Sequence, residues 1–558
     1  MDDLTTTIVQ LWSDINPIAG YTAGHLETLT STPPATAPEV ETLRERLTAA
    51  GSRLDELTDP ELRATAAGIL GSLRTQLDLP RPSGAGPSGT GMGGVYAAAD
   101  GIFYILLKKD SAAPWVGTYL EAVAASIGYE TQRWFGQDFT VLVRRECLDT
   151  CGYVRGTVQA MQGTRPDLAD QCQAILDALA GYEALFALPG LDSADFAFYW
   201  PIFQAGDQAR GPRPAPGYPG CLRGYFQLTQ DAHDIEVTAS AWLQLDLPVV
   251  SSIVAEVTAL PFFPAGWSGS LQDVWDHVSA QYSVDFDDAL IARMVKVTDD
   301  FGAAYVVSHT AADSVQFAAT PAYLVNLVTG GEDFAVDYLD PAAAYSQLYL
   351  TSAKNSSLLT MINILVHEAS HGYNFVLSAR NPALSPLLNV NTALEVPTTE
   401  GMAFWREFEY YAAAQQLLGR TDLDPVQEAY LALYGDTAAE QQAAVLCAQL
   451  ETYLWRLVRY VRALCDVRVN GGHQTYTDFI AWAATATGLS EEFLHGECFT
   501  FMASPGYAPC YAMGAATYAA AQAGARSRGV SEVAFNTAAS SMGFYAWPVA
   551  AARLEAIS

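Results

Sequence analysis

Basic residues are scarce in this 558-residue chain, which has 29 Lys and Arg against 61 Asp and Glu. The formal net charge of −32 argues against the positive patches with which proteins bind nucleic-acid phosphates or anionic membrane surfaces. We therefore expect neither a nucleic-acid partner nor a membrane partner. An acidic, solvated surface accounts for the charge, and the same charge would also attract cationic substrates.

Cysteines are also few, and they are scattered. Of the eight, only Cys147 and Cys151 lie close together, and no second close pair completes a zinc-ribbon spacing. The first five residues are acidic and polar, without the basic and apolar regions of a signal peptide. No uncharged apolar run is long enough and helical enough in pattern to predict a transmembrane helix. We therefore predict a cytoplasmic protein with mostly reduced thiols.

Apolar periodicity predicts helices over most of the chain, including about 115–127, about 166–187 and nearly everything beyond residue 400. Alternating apolar residues predict strands in the middle of the chain, at 235–239, 241–245, 323–328 and 347–350. The segment 139–143 fits either a short strand or part of a helix.

Two segments rich in Gly and Pro, 80–87 and 206–220, predict irregular structure. The second is either a linker between lobes or a surface loop. We predict an N-terminal helical lobe (1–230) and a catalytic lobe (231–558), integrated into a single architecture.

The segment His367-Glu368-Ala369-Ser370-His371 has the pattern H-E-x-x-H and lies in an apolar run typical of a buried helix. Two histidines four residues apart share one helical face, so both imidazoles can reach one Zn²⁺. Glu368 adjoins the first histidine and can hold an activated water as general base. Because burial without partners is costly for such side chains, a metal site explains them better than a pair of core histidines. Ser357 is among the residues that can cap this helix, and Asn374 or the Asn381-Pro382 pair can end it.

A zinc site of this kind needs a third protein ligand, normally a carboxylate from a second helix. Glu400, twenty-nine residues after His371, opens an amphipathic helix and is the candidate. A plain carboxylate at a helix N-terminus is the alternative for Glu400. Glu407 lies two turns further along the same face, where it can accept the distal N–H of a ligating histidine. A surface acid is an equal alternative for Glu407.

Three segments together resemble a bacterial family catalogued as domain of unknown function eight-eight-five. They are H-E-A-S-H-G, E-G-M-A-F-W-R-E and a C-terminal segment at 504–514 that is similar to the family's P-G-Q-A-x-x-Y-x-x-G signature. The resemblance covers about 340–558. That family is similar to gluzincin metallopeptidases, which are largely helical, with a deep channel and a small edge sheet. The resemblance implies zinc on His367, His371 and Glu400, with Tyr511 facing the oxyanion of the reaction.

The chain departs from the family's pattern at several positions. The family's Pro-Gly-His after H-E-x-x is replaced by His371-Gly372-Tyr373. Its Arg before Pro-Gly is matched by Thr500, its Gln after Pro-Gly by Tyr507, and a further His by Asn470. The family's substrate therefore does not carry over to this chain.

Two other hypotheses about the function use the same residues. Glu368 to His371 is also an E-x-x-H turn, and Glu492 to His495 is a second one. Two such turns with Glu400 and Glu407 would build a di-iron carboxylate site in a helix bundle, and hence an oxidoreductase. The other reading is a repurposed or degenerate metallopeptidase fold that acts on a non-peptide small molecule or only binds a partner.

The fold class that we predict is mainly α. Its architecture is a zincin-like metallopeptidase fold with two helical lobes around a channel and a small edge β-sheet. The predicted function is zinc-dependent hydrolysis of an amide bond in a peptide or peptide-like small molecule, with one zinc per chain. Glu368 is the predicted base, Tyr511 stabilises the oxyanion, and Glu407 orients a ligand.

Overall fold

The computed structural model describes residues 3–79, 94–187, 217–313, 315–322, 324, 325, 328, 330–351, 357–502 and 504–558. The predicted loop 80–87 lies outside the described residues, as does the predicted loop 206–220 up to position 216.

The described chain is mainly helical and contains one small sheet. The helices are α1 (Asp3–Ile15), α2 (Pro17–Thr22), α3 (Ala37–Gly51), α4 (Pro60–Asp78), α5 (Val95–Leu107), α6 (Val116–Trp134), α7 (Val141–Thr164), α8 (Ala169–Phe186), α9 (Gly217–Gly220), α10 (Ala232–Val257), α11 (Leu271–Gln281), α12 (Asp288–Tyr305), α13 (Leu358–Ala379), α14 (Val396–Leu417), α15 (Pro425–Leu431), α16 (Ala438–Cys465), α17 (Tyr476–Thr487), α18 (Glu491–Met502), α19 (Ala508–Ser527), α20 (Glu532–Ser540) and α21 (Trp547–Ala556). The strands are β1 (Gln316–Ala319), β2 (Gly331–Val336) and β3 (Tyr345–Leu350).

Helix starts follow the chemistry of single residues. The Ser357 hydroxyl accepts the N–H of Thr360 at the start of α13, which confirms the predicted cap. Thr140 caps α7 in the same way, so the segment 139–143 belongs to a helix start rather than a strand. Asn374, one of two predicted ends of α13, lies buried inside it, and the helix instead ends at Ala379, just before the alternative end at 381–382.

The sheet has the order β1-β3-β2, with β3 parallel to β1 and antiparallel to β2. Gly331 pairs with Leu350 and Val336 pairs with Tyr345, so β2 forms an edge of the described sheet. The strand predicted at 347–350 is confirmed. Of the strand predicted at 323–328, Leu324 and Val325 lie in a turn, and residues 323, 326 and 327 lie outside the described residues.

The strands predicted at 235–239 and 241–245 are wrong, because both segments lie within the single helix α10. Ile235, Ala239 and Leu243 are buried at the four-residue spacing of one helical face. Val237 and Leu245 are exposed, at 54% and 68%, on the opposite side. Apolar residues on both sides of the helix produce a false two-residue alternation.

Helix α10 is, among the described residues, the one helix long and apolar enough to cross a membrane on length and composition alone. The sequence does not predict it, because the apolar pattern of this segment also fits strands. The helix packs against α16. Arg456 bonds Asp246 at 2.5 Å, and the Trp242 and Tyr460 rings lie 5.5 Å apart.

The largest core cluster contains side chains from both predicted lobes, such as Tyr119 and Tyr511. The division at residue 230 stays a prediction. Helices α14 and α19 cross very closely, since a Cβ on Gly401 would lie 2.3 Å from the carbonyl carbon of Gly514. Glycine at both positions lets the backbones approach and brings the second turns of the two helices together, next to α13. All eight cysteines are buried and free.

Candidate metal centre

Helices α13 and α14 bring three side chains with metal-ligating atoms together. His367 and His371 lie one turn apart on α13, and Glu400 lies in the second turn of α14. The two Nε2 atoms are 3.2 Å apart, and Glu400 Oε2 lies 3.3 Å from His367 Nε2 and 3.4 Å from His371 Nε2. In the part of the chain that the structure describes, these residues form the one cluster of His, Cys or acidic side chains that could hold a metal ion.

The three distances fit a tetrahedral zinc site. Ligands about 2.0–2.1 Å from Zn²⁺ at tetrahedral corners lie about 3.3 Å from one another. The observed separations of 3.2, 3.3 and 3.4 Å bracket that value. Two imidazole nitrogens and one carboxylate oxygen are also one of the donor sets of catalytic zinc sites. The residues present therefore fit a zinc ion.

The site favours positive charge. Burial lowers the pKa of His367, but hydrogen bonds to Glu400 and Glu407 outweigh burial and raise the pKa to about 9. Burial raises the pKa of Glu400, but the facing His371 and His367 hold the pKa of this carboxyl well below its usual range. A cation at this point satisfies the same carboxylates.

Glu407 contacts His367 at Nδ1, the ring nitrogen that is turned away from the other two proposed ligands. Its Oε1 lies 2.8 Å from His367 Nδ1, and Arg459 Nη2 on α16 donates to the same oxygen at 2.6 Å. Asn363, one turn before His367, donates to the other oxygen at 3.1 Å. Glu407 is 2% exposed, which excludes the alternative interpretation of this residue as a surface acid. The contact to Nδ1 leaves Nε2 free to face the other two ligands.

Glu368 is fixed by the edge of the sheet. The backbone N–H of Asp333 on β2 donates to Glu368 Oε2 at 3.0 Å. Burial raises the pKa of Glu368, an effect that the neighbouring His367 and His371 oppose. The carboxylate lines the same cavity as both histidines. The structure therefore places the predicted base beside the predicted ligands, with one oxygen held by the sheet.

Tyr511 and Tyr507 both reach Glu400 from the start of α19. Tyr507 Oη donates to Glu400 Oε1. The Tyr511 ring lies 6.1 Å from that of His367, and burial, with the charge of Glu400, raises the pKa of Tyr511 well above its usual range. Tyr511 therefore lies at the centre, as the resemblance implies. Tyr507, which from the sequence is only a departure from the family's pattern, contacts Glu400 directly.

The other two departures from the family pattern lie near the same loop. Thr500 lines the cavity. Asn470 donates to Asp466 at 2.7 Å, and Asp466 in turn accepts the backbone N–H of Gly506, also at 2.7 Å. Asp466 thereby fixes the backbone just before Tyr507.

The second E-x-x-H turn does not join this site. His495 contacts Arg145 at 2.8 Å and Tyr476 at 3.1 Å, and Glu492 is exposed. The carboxylate of Glu407 is already shared by His367, Arg459 and Asn363. The geometry thus groups one set of ligands and not two.

A cavity of about 1660 Å³ opens over the centre. Pockets for small molecules usually have about 300–1,000 Å³, so a peptide of several residues would fit. Arg459, Asn363 and the Asp333 amide were not found from the sequence, because each lies far along the chain from the residue that it contacts. No local pattern signals such contacts.

No family model matches this chain, and no curated protein matches it. Two solved structures share its fold, each aligned over 99% of this chain and 98% of its own, at 12% identity. One is a candidate lipoprotein from Colwellia psychrerythraea with a TM-score of 0.67. The other, with a TM-score of 0.62, is a candidate lipoprotein of unknown function from Shewanella oneidensis. At 12% identity the similarity shows a shared, mainly helical fold and is not evidence for a shared activity. The family resemblance and the cytoplasmic location stay predictions.

Proposed function

We propose that this protein is a zinc-dependent hydrolase of amide bonds with a zincin-like site, acting on a peptide or a peptide-like small molecule. One observation carries the proposal. His367, His371 and Glu400 converge at separations of 3.2–3.4 Å, beside a large cavity that the half-buried Glu368 also lines.

The residues divide the chemistry among them. A Zn²⁺ held by His367, His371 and Glu400 would supply Lewis acidity, which lowers the pKa of water and polarises a carbonyl. Glu368 takes the proton of the attacking water and passes it to the leaving amine. Its hydrogen bond to the Asp333 amide fixes one carboxylate oxygen and leaves the other for this proton transfer.

Tyr511 supplies the second donor for the oxyanion that develops on the substrate carbonyl. The guanidinium of Arg459 lies 5.7 Å from the centre of its ring and adds positive potential there. Tyr507 holds Glu400 Oε1, which leaves Oε2 directed at the two histidines. Glu407 fixes the orientation of His367.

The test combines metal content with turnover. The purified chain is expected to contain one zinc and to cleave members of a fluorogenic peptide library. Glu368→Gln keeps the metal and loses activity by about 10²–10⁴-fold, the usual contribution of a general base. His371→Ala loses the metal as well.

Glu492→Gln is the matched control, since this exposed acid lies in the second E-x-x-H turn. It leaves zinc and turnover unchanged if the hydrolase proposal is right. Two irons per chain together with a deleterious Glu492→Gln would instead establish the di-iron oxidoreductase. A biological effect that survives Glu368→Gln unaltered would establish a binding protein.

A further inference from the structure

The wall of the cavity carries far more acidic than basic side chains among the described residues. Its acids are Asp100, Glu146, Asp149, Asp276, Glu332, Asp333, Glu368, Glu395, Glu400, Glu407 and Glu497. Its two arginines are both paired, since Arg459 bonds Glu407 at 2.6 Å and Arg462 bonds Glu497, and its two histidines both contact Glu400. The described wall thus offers no unpaired cation to balance its acids.

Two of these acids, Asp100 and Glu332, lie on α5 and β2, whose side chains meet at the cavity wall. Tyr96, Asp100 and Tyr104 follow one another at four-residue spacing, which places them on one face of α5. That face packs against β2, where the Tyr104 and Phe334 rings lie 6.2 Å apart. Glu332 lies two residues before Phe334 and therefore on the same side of the strand.

Asp100 is 5% exposed, and its Oδ1 accepts a hydrogen bond from Tyr153 at 3.0 Å. The Tyr153 ring stacks on Tyr96 at 4.8 Å. Burial raises the pKa of Asp100 to about 7, because no positive charge compensates it.

Glu332 makes no side-chain hydrogen bond or ion pair with another residue that the structure describes. Burial, reinforced by the charges of Glu368 and Asp100, raises its pKa to about 8. Both carboxyls therefore lie where a positive charge is missing. A cation placed between them would remove that penalty.

We name this region the ammonium subsite, formed by Asp100, Glu332, Tyr96, Tyr104 and Tyr153. We propose that the ammonium subsite binds a protonated amine of the substrate, so that the substrate is an amide with a positive charge. This inference rests on the proposed hydrolase function.

An organic cation fits the subsite better than a metal ion does. Tyrosine rings attract ammonium groups through their faces, whereas divalent cations require several oxygen or nitrogen ligands at short range. Asp100 and Glu332 do not belong to the metal-ligating cluster found among the described residues. The tyrosine hydroxyls and rings and the two carboxylates match an –NH₃⁺ group in charge and in hydrogen bonding.

The ammonium subsite lies close to the proposed base. Asp333, the residue after Glu332, donates its backbone N–H to Glu368. A substrate with its amine at Glu332 therefore has its nearest amide bonds by Glu368. The amine can be the α-amine of a peptide or the side chain of a basic residue.

Four probes separate these two sources. They are L-lysinamide, L-norleucinamide and the N-acetyl form of each, which vary the α-amine and the side-chain amine independently. Calorimetric titration into the zinc-loaded chain is expected to give binding whenever the preferred amine is present. N-acetyl-L-norleucinamide, which carries neither amine, is expected to bind roughly tenfold or more weakly.

Glu332→Gln and Asp100→Asn remove charge with little change in shape, and each is expected to reduce the advantage of the charged probes roughly tenfold or more. Asp276→Asn, an exposed acid on the same cavity wall, is the matched control and leaves that advantage intact. Circular dichroism verifies the fold of each variant. Because an amine can also ligate zinc, the trimethylammonium form of the preferred probe, which cannot, is titrated as well and is expected to bind.

The inference is overturned if all probes bind equally, if none binds up to millimolar concentration, or if folded Glu332→Gln and Asp100→Asn keep the selectivity of the native chain. The ammonium subsite and the hydrolase proposal can be refuted independently of each other. Selectivity for ammonium without hydrolysis of any peptide would overturn the hydrolase proposal and leave the subsite standing. Hydrolysis without that selectivity would do the reverse.

Discussion

Glu407→Gln is expected to weaken zinc binding although Glu407 is not one of the proposed ligands. The carboxylate is 2% exposed, contacts His367 Nδ1 at 2.8 Å and accepts from Arg459 at 2.6 Å. A glutamine still accepts a hydrogen bond from His367 but no longer carries the negative charge that makes the imidazole a better ligand. Loss of such a supporting contact usually lowers metal affinity about 10–100-fold, which corresponds to about 1.4–2.7 kcal/mol.

The same change affects the stability of the metal-free protein through a different residue. Arg459 is 6% exposed, and its ion-pair partner is Glu407. Removing one member of a buried pair leaves the other charge uncompensated and costs about 3–5 kcal/mol of unfolding free energy. The double variant Glu407→Gln, Arg459→Met removes both charges and is expected to recover most of that loss. It is not expected to recover the zinc affinity.

Two measurements separate these effects. Competition with a chromophoric chelator gives the zinc affinity, and denaturant unfolding of the chelated protein gives the stability. Glu409→Gln is the matched control, since this acid lies on the same helix and bonds Asn536 at 2.8 Å without contacting His367. It is expected to leave the zinc affinity unchanged. An unchanged zinc affinity in Glu407→Gln, or full recovery of affinity in the double variant, would refute the reasoning.

Three further changes test other parts of the structure. Gly401→Ala places a methyl group 2.3 Å from the backbone of Gly514. Chemical denaturation is expected to show an unfolding free energy lower by about 1–3 kcal/mol. Gly181→Ala, in open space within a helix, is the control and is expected to raise the unfolding free energy slightly. Burial raises the folded pKa of Asp466 from 3.8 to about 7, so its contribution to stability is full below about pH 4 and is lost as the pH rises to about 7. Relative to Asp466→Asn, the native chain is therefore expected to lose up to about 4 kcal/mol over that range, measured by unfolding at several pH values. Tyr507→Phe removes the hydrogen bond to the ligand carboxylate, and a chelator competition is expected to show zinc affinity reduced about tenfold.

The clustering of His367, His371 and Glu400 could be predicted from the sequence, because the relevant signals are local. His367 and His371 share a helical face by spacing alone. Glu400 lies near the start of the predicted helix, although that helix begins four residues earlier than predicted, at Val396. The Ser357 cap and the strand at 347–350 follow from equally local patterns. The mainly helical fold class is confirmed for the same reason.

The contacts that complete the centre depend on tertiary structure. Arg459 lies 52 residues from Glu407, and Asp333 lies 35 residues before Glu368. Neither contact can be predicted from residue spacing or composition. The ammonium subsite is even harder to predict from the sequence, since it combines residues of α5 with a residue of a strand more than two hundred positions away.

The error at 235–245 has a different cause. Val237 and Leu245 are apolar but exposed on α10, and they fill the gaps between the buried residues on the other side of the helix. A period of two then matches the sequence as well as a period of 3.6 does. Burial, which the sequence does not report, is what distinguishes the two.

The hydrogen bond from the Asp333 amide to Glu368 makes the proposed reaction sensitive to a distant connection. Residues 337–344 join β2 to β3 and so decide which β2 amide meets the α13 carboxylate. A change of length there that shifted the β2–β3 register by one residue would turn every β2 side chain to the opposite side and present a different amide to Glu368. The length of that short connection is thus expected to be as intolerant of change as the histidines themselves.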